Sequence, residues 1–206
     1  DSKTKNKVIS YPSPYLTGVL DEFLGDSYLY PLFESNRGCP FKCTFCAWGV
    51  SALDKVRMWP IEQVMEEFEY YIQRSVGQDL WIFSDANFGI VKRDVEIAKK
   101  IREYKEHPKG PKRVLAWNSK KTTNRNIEIQ EIFGDMSGFL VAFQSLDEKV
   151  LENIKRKNIK TESLLDLVDY FKEKEADIET DILIGLPGES YESHIETLRK
   201  CFDHDI

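Results

Sequence analysis

The stretch Asn36-Arg37-Gly38-Cys39-Pro40-Phe41-Lys42-Cys43-Thr44-Phe45-Cys46-Ala47-Trp48-Gly49 carries three of the four cysteines of this chain, spaced C-x-x-x-C-x-x-C. In so short a span three thiolates can converge on one side of a loop and hold three corners of a cubic iron–sulfur cluster. Gly38, Pro40 and Gly49 provide the sharp turns that such wrapping needs. Three local thiolates leave one iron open to another ligand. Two plainer readings stand beside this one. Zinc bound by the three thiols would need His107, His194 or His204 as its fourth ligand, and none lies near the loop in sequence. Reduced core cysteines are common, but this spacing beside Pro, Lys and Gly does not make a core face.

Outward from the loop, strand-like and helix-like segments alternate, which predicts an α/β fold with parallel strands and outer helices. Pro31 to Ser35 reads as the first strand, with the cysteine loop leaving its C-terminal end. Pro60 opens a helix whose buried stripe is Ile61, Val64, Met65, Phe68 and Ile72. Leu80 to Phe83 is the second strand, followed by a helix over Asp94 to Tyr104 that buries Val95, Ala98 and Ile101. Val114 to Trp117 is the third strand, and Asn126 is the candidate cap of the short helix after it. Phe139 to Phe143 is the fourth strand; then come a helix capped by Asp147 and another over Glu162 to Lys174. Ile178 to Ile184 is the fifth strand and Tyr191 to Phe202 the last helix. Residues 1–30 have turn formers and little periodicity, and read as a linker or N-terminal extension, with Leu20, Phe23 and Leu24 as a short helical turn.

In parallel barrels chemistry gathers at the C-terminal strand ends, so the segments just after each strand are the candidates. Ser84-Asp85-Ala86-Asn87-Phe88-Gly89 is either a polar grip or an ordinary turn with a capping Asp. Asn118 and Ser119 either contact a ligand or close a turn. After the fifth strand, Gly185 lets the backbone approach a flat ring and Ile184 offers it an apolar face.

The cysteine loop resembles the signature of the radical S-adenosylmethionine superfamily, with Phe45 as the usual aromatic before the last cysteine. That resemblance implies a partial TIM-type (β/α) barrel over residues 31–206, stopping before a sixth strand. It implies a [4Fe-4S] cluster on Cys39, Cys43 and Cys46, whose open iron takes the amino and carboxylate groups of S-adenosylmethionine. Reductive cleavage would then give methionine and a 5′-deoxyadenosyl radical, with an electron donor such as flavodoxin or ferredoxin and a small-molecule substrate. Where most members have a Gly-Gly-Glu-like segment holding the methionine amine, this chain has Asp85 or Asn87. By the same resemblance Gln144 and Ser145 meet the ribose or carboxylate, Arg156 the methionine carboxylate, and Ile184 and Gly185 the adenine. Tyr11-Pro12-Ser13-Pro14-Tyr15-Leu16-Thr17-Gly18, the lead-in Ser35-Asn36-Arg37-Gly38-Cys39-Pro40, and Asp85-Ala86-Asn87-Phe88 look like the cobalamin-binding subgroup, many of which are methyltransferases. Cobalamin is implied for a longer parent protein, since the chain has no Asp-x-His-x-x-Gly motif.

A non-catalytic electron carrier is the alternative from another class, with Cys201 as fourth ligand; a zinc-stabilised binding module is a third. Composition narrows the rest. A net charge of −6 over 206 residues argues against general nucleic-acid binding. No apolar run suits a bilayer and the sequence shows no signal-peptide pattern of basic start and apolar middle, while clustered thiols point to a reducing cytoplasm. The sequence has neither a Walker-type phosphate loop nor a nucleophile elbow. It opens at Asp1 and stops at Ile206 after a helical pattern, which reads as a piece of something longer.

Overall fold

Hydrophobic spacing of two and of 3.6 residues alternates along the chain, and the backbone follows it. The computed structural model describes residues 7–8, 11–49, 54–119, 124–140, 142–158, 168–171, 173–174 and 178–206. Strands β1 (Lys7–Val8), β2 (Leu32–Phe33), β3 (Asn36–Arg37) and β4 (Arg57–Met58) precede helix α1 (Ile61–Arg74). Then come β5 (Leu80–Phe88), α2 (Asp94–Glu103), β6 (Arg113–Asn118) and α3 (Asn124–Phe133). The chain ends through β7 (Phe139–Leu140), α4 (Glu148–Asn153), β8 (Ile178–Glu179) and α5 (Tyr191–Asp203).

Strands β2, β5 and β6 form one parallel sheet in that order, and β7 pairs in parallel with β8. A parallel bridge between Gln144 and Ile182 prolongs the second pair. The parallel α/β class expected from the alternation is therefore present. Among the described residues β6 and β7 share no ladder, so the five strands stand as a group of three and a group of two.

The core explains why these segments hold. Helix α1 buries Val64, Phe68, Tyr71 and Ile72, a stripe at helical spacing. Phe33, Phe68 and Trp81 meet with ring centres 4.9 to 5.5 Å apart, at angles favoured by aromatic quadrupoles. Ile97, Ala98 and Ile101 of α2 close the same cluster, with Val95 at its margin. Tyr15 and Leu24 belong to it too. The Tyr15 ring stacks on Phe33 at 5.1 Å, while its hydroxyl donates to the Leu32 carbonyl and accepts from the Leu32 amide. Within residues 1–30 the expected helical turn is a 3-10 turn at Asp21–Phe23.

Several boundaries differ from expectation, each for a local reason. The first strand ends at Phe33 because both backbone groups of Ser35 are engaged elsewhere: its amide by Asp85, its carbonyl by Trp59 and Arg93. The second strand continues to Phe88, so Ser84 to Asn87 lie within β5 rather than after it. Its register shifts between Phe83 and Phe88, a bulge that re-aims the side chains between them. Asn126 does not cap α3; it is buried inside the helix and its amide donates to the Ser119 carbonyl at 3.0 Å. Asp147 does cap α4, accepting from the Val150 amide at 2.9 Å. Val141, in the middle of the expected fourth strand, lies outside the described residues, as does most of the expected helix from Glu162, of which 168–171 are helical.

Candidate functional site

Gly38 has φ of 107°, a backbone region that favours glycine, and there the chain leaves β3 for the cysteine loop. It returns at β4. The antiparallel pairs Asn36 with Met58 and Arg37 with Arg57 close the two ends of that loop like a stem, and β1 adds in parallel to the outer side of β4. This small sheet carries no hydrophobic alternation, so nothing in the sequence announced it.

Asp85 braces the stem from inside. It is 1% exposed and accepts from the Ser35 amide at 2.7 Å, the Asn36 amide at 3.2 Å, the Asn36 side-chain amide at 2.8 Å and the Ser35 hydroxyl. Burial pushes its carboxyl up to about 7, although these donors pull the other way. Arg93 adds a second brace, donating to the carbonyls of Trp59 and Ser35. On the far side the Thr44 amide donates to the Ile154 carbonyl at 3.0 Å, tying the loop to the end of α4.

Held this way, Cys39, Cys43 and Cys46 share the wall of one cavity of about 170 Å³ with Asn87, Asn118, Gln144 and Arg156. Phe41, Phe45, Trp48 and Trp117 form its apolar side. None of the three cysteines is in a disulfide. The Asn87 side-chain amide donates to Cys39 Sγ at 3.1 Å, and one terminal nitrogen of Arg156 faces Cys43 Sγ at 4.0 Å. Arg156 is 8% exposed, with Nε donating to Asn158 Oδ1 at 2.7 Å and its other terminal nitrogen to the Ala142 carbonyl. Desolvation lowers its pKa; the groups that oppose this are the thiols of Cys43, Cys46 and Cys39. Gln144 adopts φ of 68°, unusual for a residue with a side chain and a conformation that active sites often retain.

The structure thus brings together the three cysteines, Asn87, Asn118, Gln144 and Arg156, from five segments of the chain. It does not bring Asp85, Ser145, Ile184 or Gly185 to that wall. The Asp85 carboxylate is consumed by the stem. Ser145 is fully buried and its hydroxyl accepts from the Asp147 amide at 3.2 Å, just ahead of α4. Ile184 is 81% exposed, and the Gly185 amide donates to Glu189 Oε2 at 2.6 Å, which folds the turn onto its own carboxylate. Asn158 was not singled out in the sequence. It orients Arg156 and also donates to the carbonyls of Phe143 and Ser145 at 2.9 and 3.0 Å, and a polar residue two positions from a buried arginine is the only sequence trace of that role.

The donor set suits a cluster. Thiolates are the ligands of iron–sulfur groups, and each of three iron corners takes one of them. Among the described residues no group of three His, Cys, Asp or Glu side chains is gathered closely enough to hold a metal ion, the three loop cysteines included, and no histidine lines the cavity. Cys201 is buried on α5, away from that wall, with its thiol pKa raised by burial. No helix among the described residues is long and apolar enough to cross a membrane.

A family model described as the radical SAM superfamily matches residues 33–201. The chain is 36% identical over 208 residues to the 2-(S-pantetheinyl)-carbapenam-3-carboxylate methyltransferase of Streptantibioticus cattleyicolor, covering 96% of this chain and 30% of that protein. It is 33% identical over 215 residues to the cobalamin-dependent radical SAM methyltransferase TokK of Streptomyces tokunonensis, covering 99% of this chain and 31% of that protein. In three dimensions it is similar to the radical S-adenosylmethionine methyltransferase TsrM of Kitasatospora setae, solved with cobalamin and a [4Fe-4S] cluster bound. The TM-score is 0.69 at 15% identity, over 85% of this chain and 32% of that one. The chain spans about a third of the length of these curated relatives.

Proposed function

The chain belongs to the radical S-adenosylmethionine superfamily, and from that premise we propose that it is the core of a cobalamin-dependent methyltransferase acting on a small molecule. What carries the reading is the cavity on which three cysteine side chains from one short loop, none in a disulfide, meet polar side chains from β5, from β6 and from the segments after β7 and α4. Cys39, Cys43 and Cys46 are the ligands of a [4Fe-4S] cluster. When bound, that group supplies the electron that splits the C–S bond of S-adenosylmethionine to methionine and a 5′-deoxyadenosyl radical, chemistry beyond any side chain.

The protein's own part is to bind, orient and exclude water. Asn118 and Gln144 stand on the cavity wall with the loop's cysteines and offer amides to the ribose hydroxyls or the amino-carboxylate of S-adenosylmethionine. Phe45, Trp48 and Trp117 give the cavity apolar lining, with Phe45 and Trp117 still partly open to solvent. Ile184 is apolar and exposed but off that wall, so an adenine would reach its face only by extending beyond the cavity. The architecture that suits these roles is a partial (β/α) barrel over residues 31–206, with residues 1–30 an extension packed on it. An electron donor such as flavodoxin or ferredoxin supplies the reducing equivalent, in a reducing cytoplasm. Cobalamin belongs to the longer protein, as in TokK by its name.

The test is anaerobic turnover of the full-length protein with cobalamin, a reductant and S-adenosylmethionine labelled in its methyl group. Release of 5′-deoxyadenosine together with label on an acceptor supports the reading. Cobalamin-independent turnover, or none while the cluster is intact and reduced, contradicts it.

A further inference from the structure

We propose that Asn87 and Arg156 are positioning residues for the cluster itself, raising its reduction potential through two of its three thiolates, Cys39 and Cys43. This rests on the cluster reading above. Asn87 is 4% exposed and aims an amide N–H at Cys39 Sγ, 3.1 Å away. Arg156 reaches Cys43 Sγ at 4.0 Å. Its charge is permanent. Its position is fixed by donation to Asn158 and to the Ala142 carbonyl, so the guanidinium cannot swing out to water.

Reduction adds one negative charge to the cluster, and part of it resides on the thiolate sulfurs. Hydrogen bonds to those sulfurs and a nearby positive charge stabilise the reduced form more than the oxidised one. Burial strengthens both effects because little water screens them. The pair therefore makes the cluster easier to reduce, and it acts on the electron-accepting step rather than on the substrate. The resemblance-based role of Arg156 at the methionine carboxylate predicts something different: an effect on S-adenosylmethionine affinity with the potential unmoved.

The experiment is a redox titration followed by EPR on the full-length protein, anaerobically reconstituted and free of S-adenosylmethionine, with iron and sulfide measured in parallel. Asn87→Leu keeps the volume and removes the donor; Arg156→Met removes the charge; Arg156→Lys restores it. Expected are unchanged iron and sulfide in Asn87→Leu and Arg156→Met, with the reduction equilibrium constant lowered about tenfold, which is about 59 mV for a one-electron couple. Arg156→Lys should fall between Arg156→Met and wild type. Potentials equal to wild type in both Asn87→Leu and Arg156→Met, with only the affinity for S-adenosylmethionine changed, overturn the proposal. Should Arg156→Met fail to hold iron, Asn87→Leu decides alone in the same two directions. A wild-type protein that takes up no iron and sulfide removes the cluster reading, and this inference with it.

Discussion

Asp85 receives hydrogen bonds from both backbone amides and both side chains of Ser35 and Asn36, in a place with almost no solvent. Its carboxyl is held at about 7, above the ~3.9 of an unfolded aspartate. Across that interval the folded chain keeps a proton that the unfolded chain has released. Stability contributed by this group is therefore greatest below about pH 4, declines as the pH rises to about 7 and is level beyond. Asp85→Asn cannot titrate. The difference in unfolding free energy between wild type and Asp85→Asn should change with pH by up to about 1.4 kcal/mol per unit within that window; parallel pH profiles contradict the assignment. At Phe33, fully buried among Tyr15, Phe68 and Trp81, truncation to Ala should cost about 3–5 kcal/mol in denaturant unfolding. Gln144 offers a cleaner separation of stability from binding. Its left-handed backbone means Gln144→Gly should leave stability within about 1 kcal/mol of wild type while weakening S-adenosylmethionine binding, measured by calorimetry. A large stability loss with full affinity would reverse that reading. At this scale the cysteines were legible because their spacing is chemistry in itself. Asp85 and Asn87 could not be told apart in the sequence, because a carboxylate in this stretch reads the same whether it faces a ligand or a neighbouring loop.

Among the elements, α1, α2 and β6 follow their hydrophobic period and were legible for that reason. The β1–β4–β3 sheet was not, since two-residue strands have no period to read. Nor was the extension of β5 through Ser84, Asp85 and Asn87, because polar residues in a strand imitate a loop. The turn after β5 is tightly specified. Gly89 has φ of 88°, and a Cβ there would stand 2.5 Å from Asn126 Oδ1. Gly89→Ala should therefore lower stability by about 1–3 kcal/mol, and the loss should exceed that of Gly25→Ala, where a Cβ meets nothing. At α5, Ser190 and Ser193 form a reciprocal capping box. Ser190→Ala should cost about 1 kcal/mol in thermal unfolding; an unchanged midpoint would show that the helix is held by packing alone.

At the scale of the molecule, strictly alternating elements foretold parallel strands, and the order β2–β5–β6 followed by β7–β8 bears this out. The gap between β6 and β7 was not foreseeable, because which neighbours share hydrogen bonds depends on twist and not on pattern. What the parallel arrangement achieves is convergence: one loop delivers three thiols, and later segments bring Asn87, Asn118, Gln144 and Arg156 to the same cavity. The central claim is that this cavity holds a four-iron cluster with one corner left for S-adenosylmethionine. The direct measurement is iron content and reduced-state EPR of the anaerobically reconstituted full-length protein, with and without S-adenosylmethionine, beside Cys43→Ala. About four irons per chain, a signal that changes on adding S-adenosylmethionine, and loss of both in Cys43→Ala are the predicted result. A signal indifferent to S-adenosylmethionine, or a full cluster in Cys43→Ala, contradicts it.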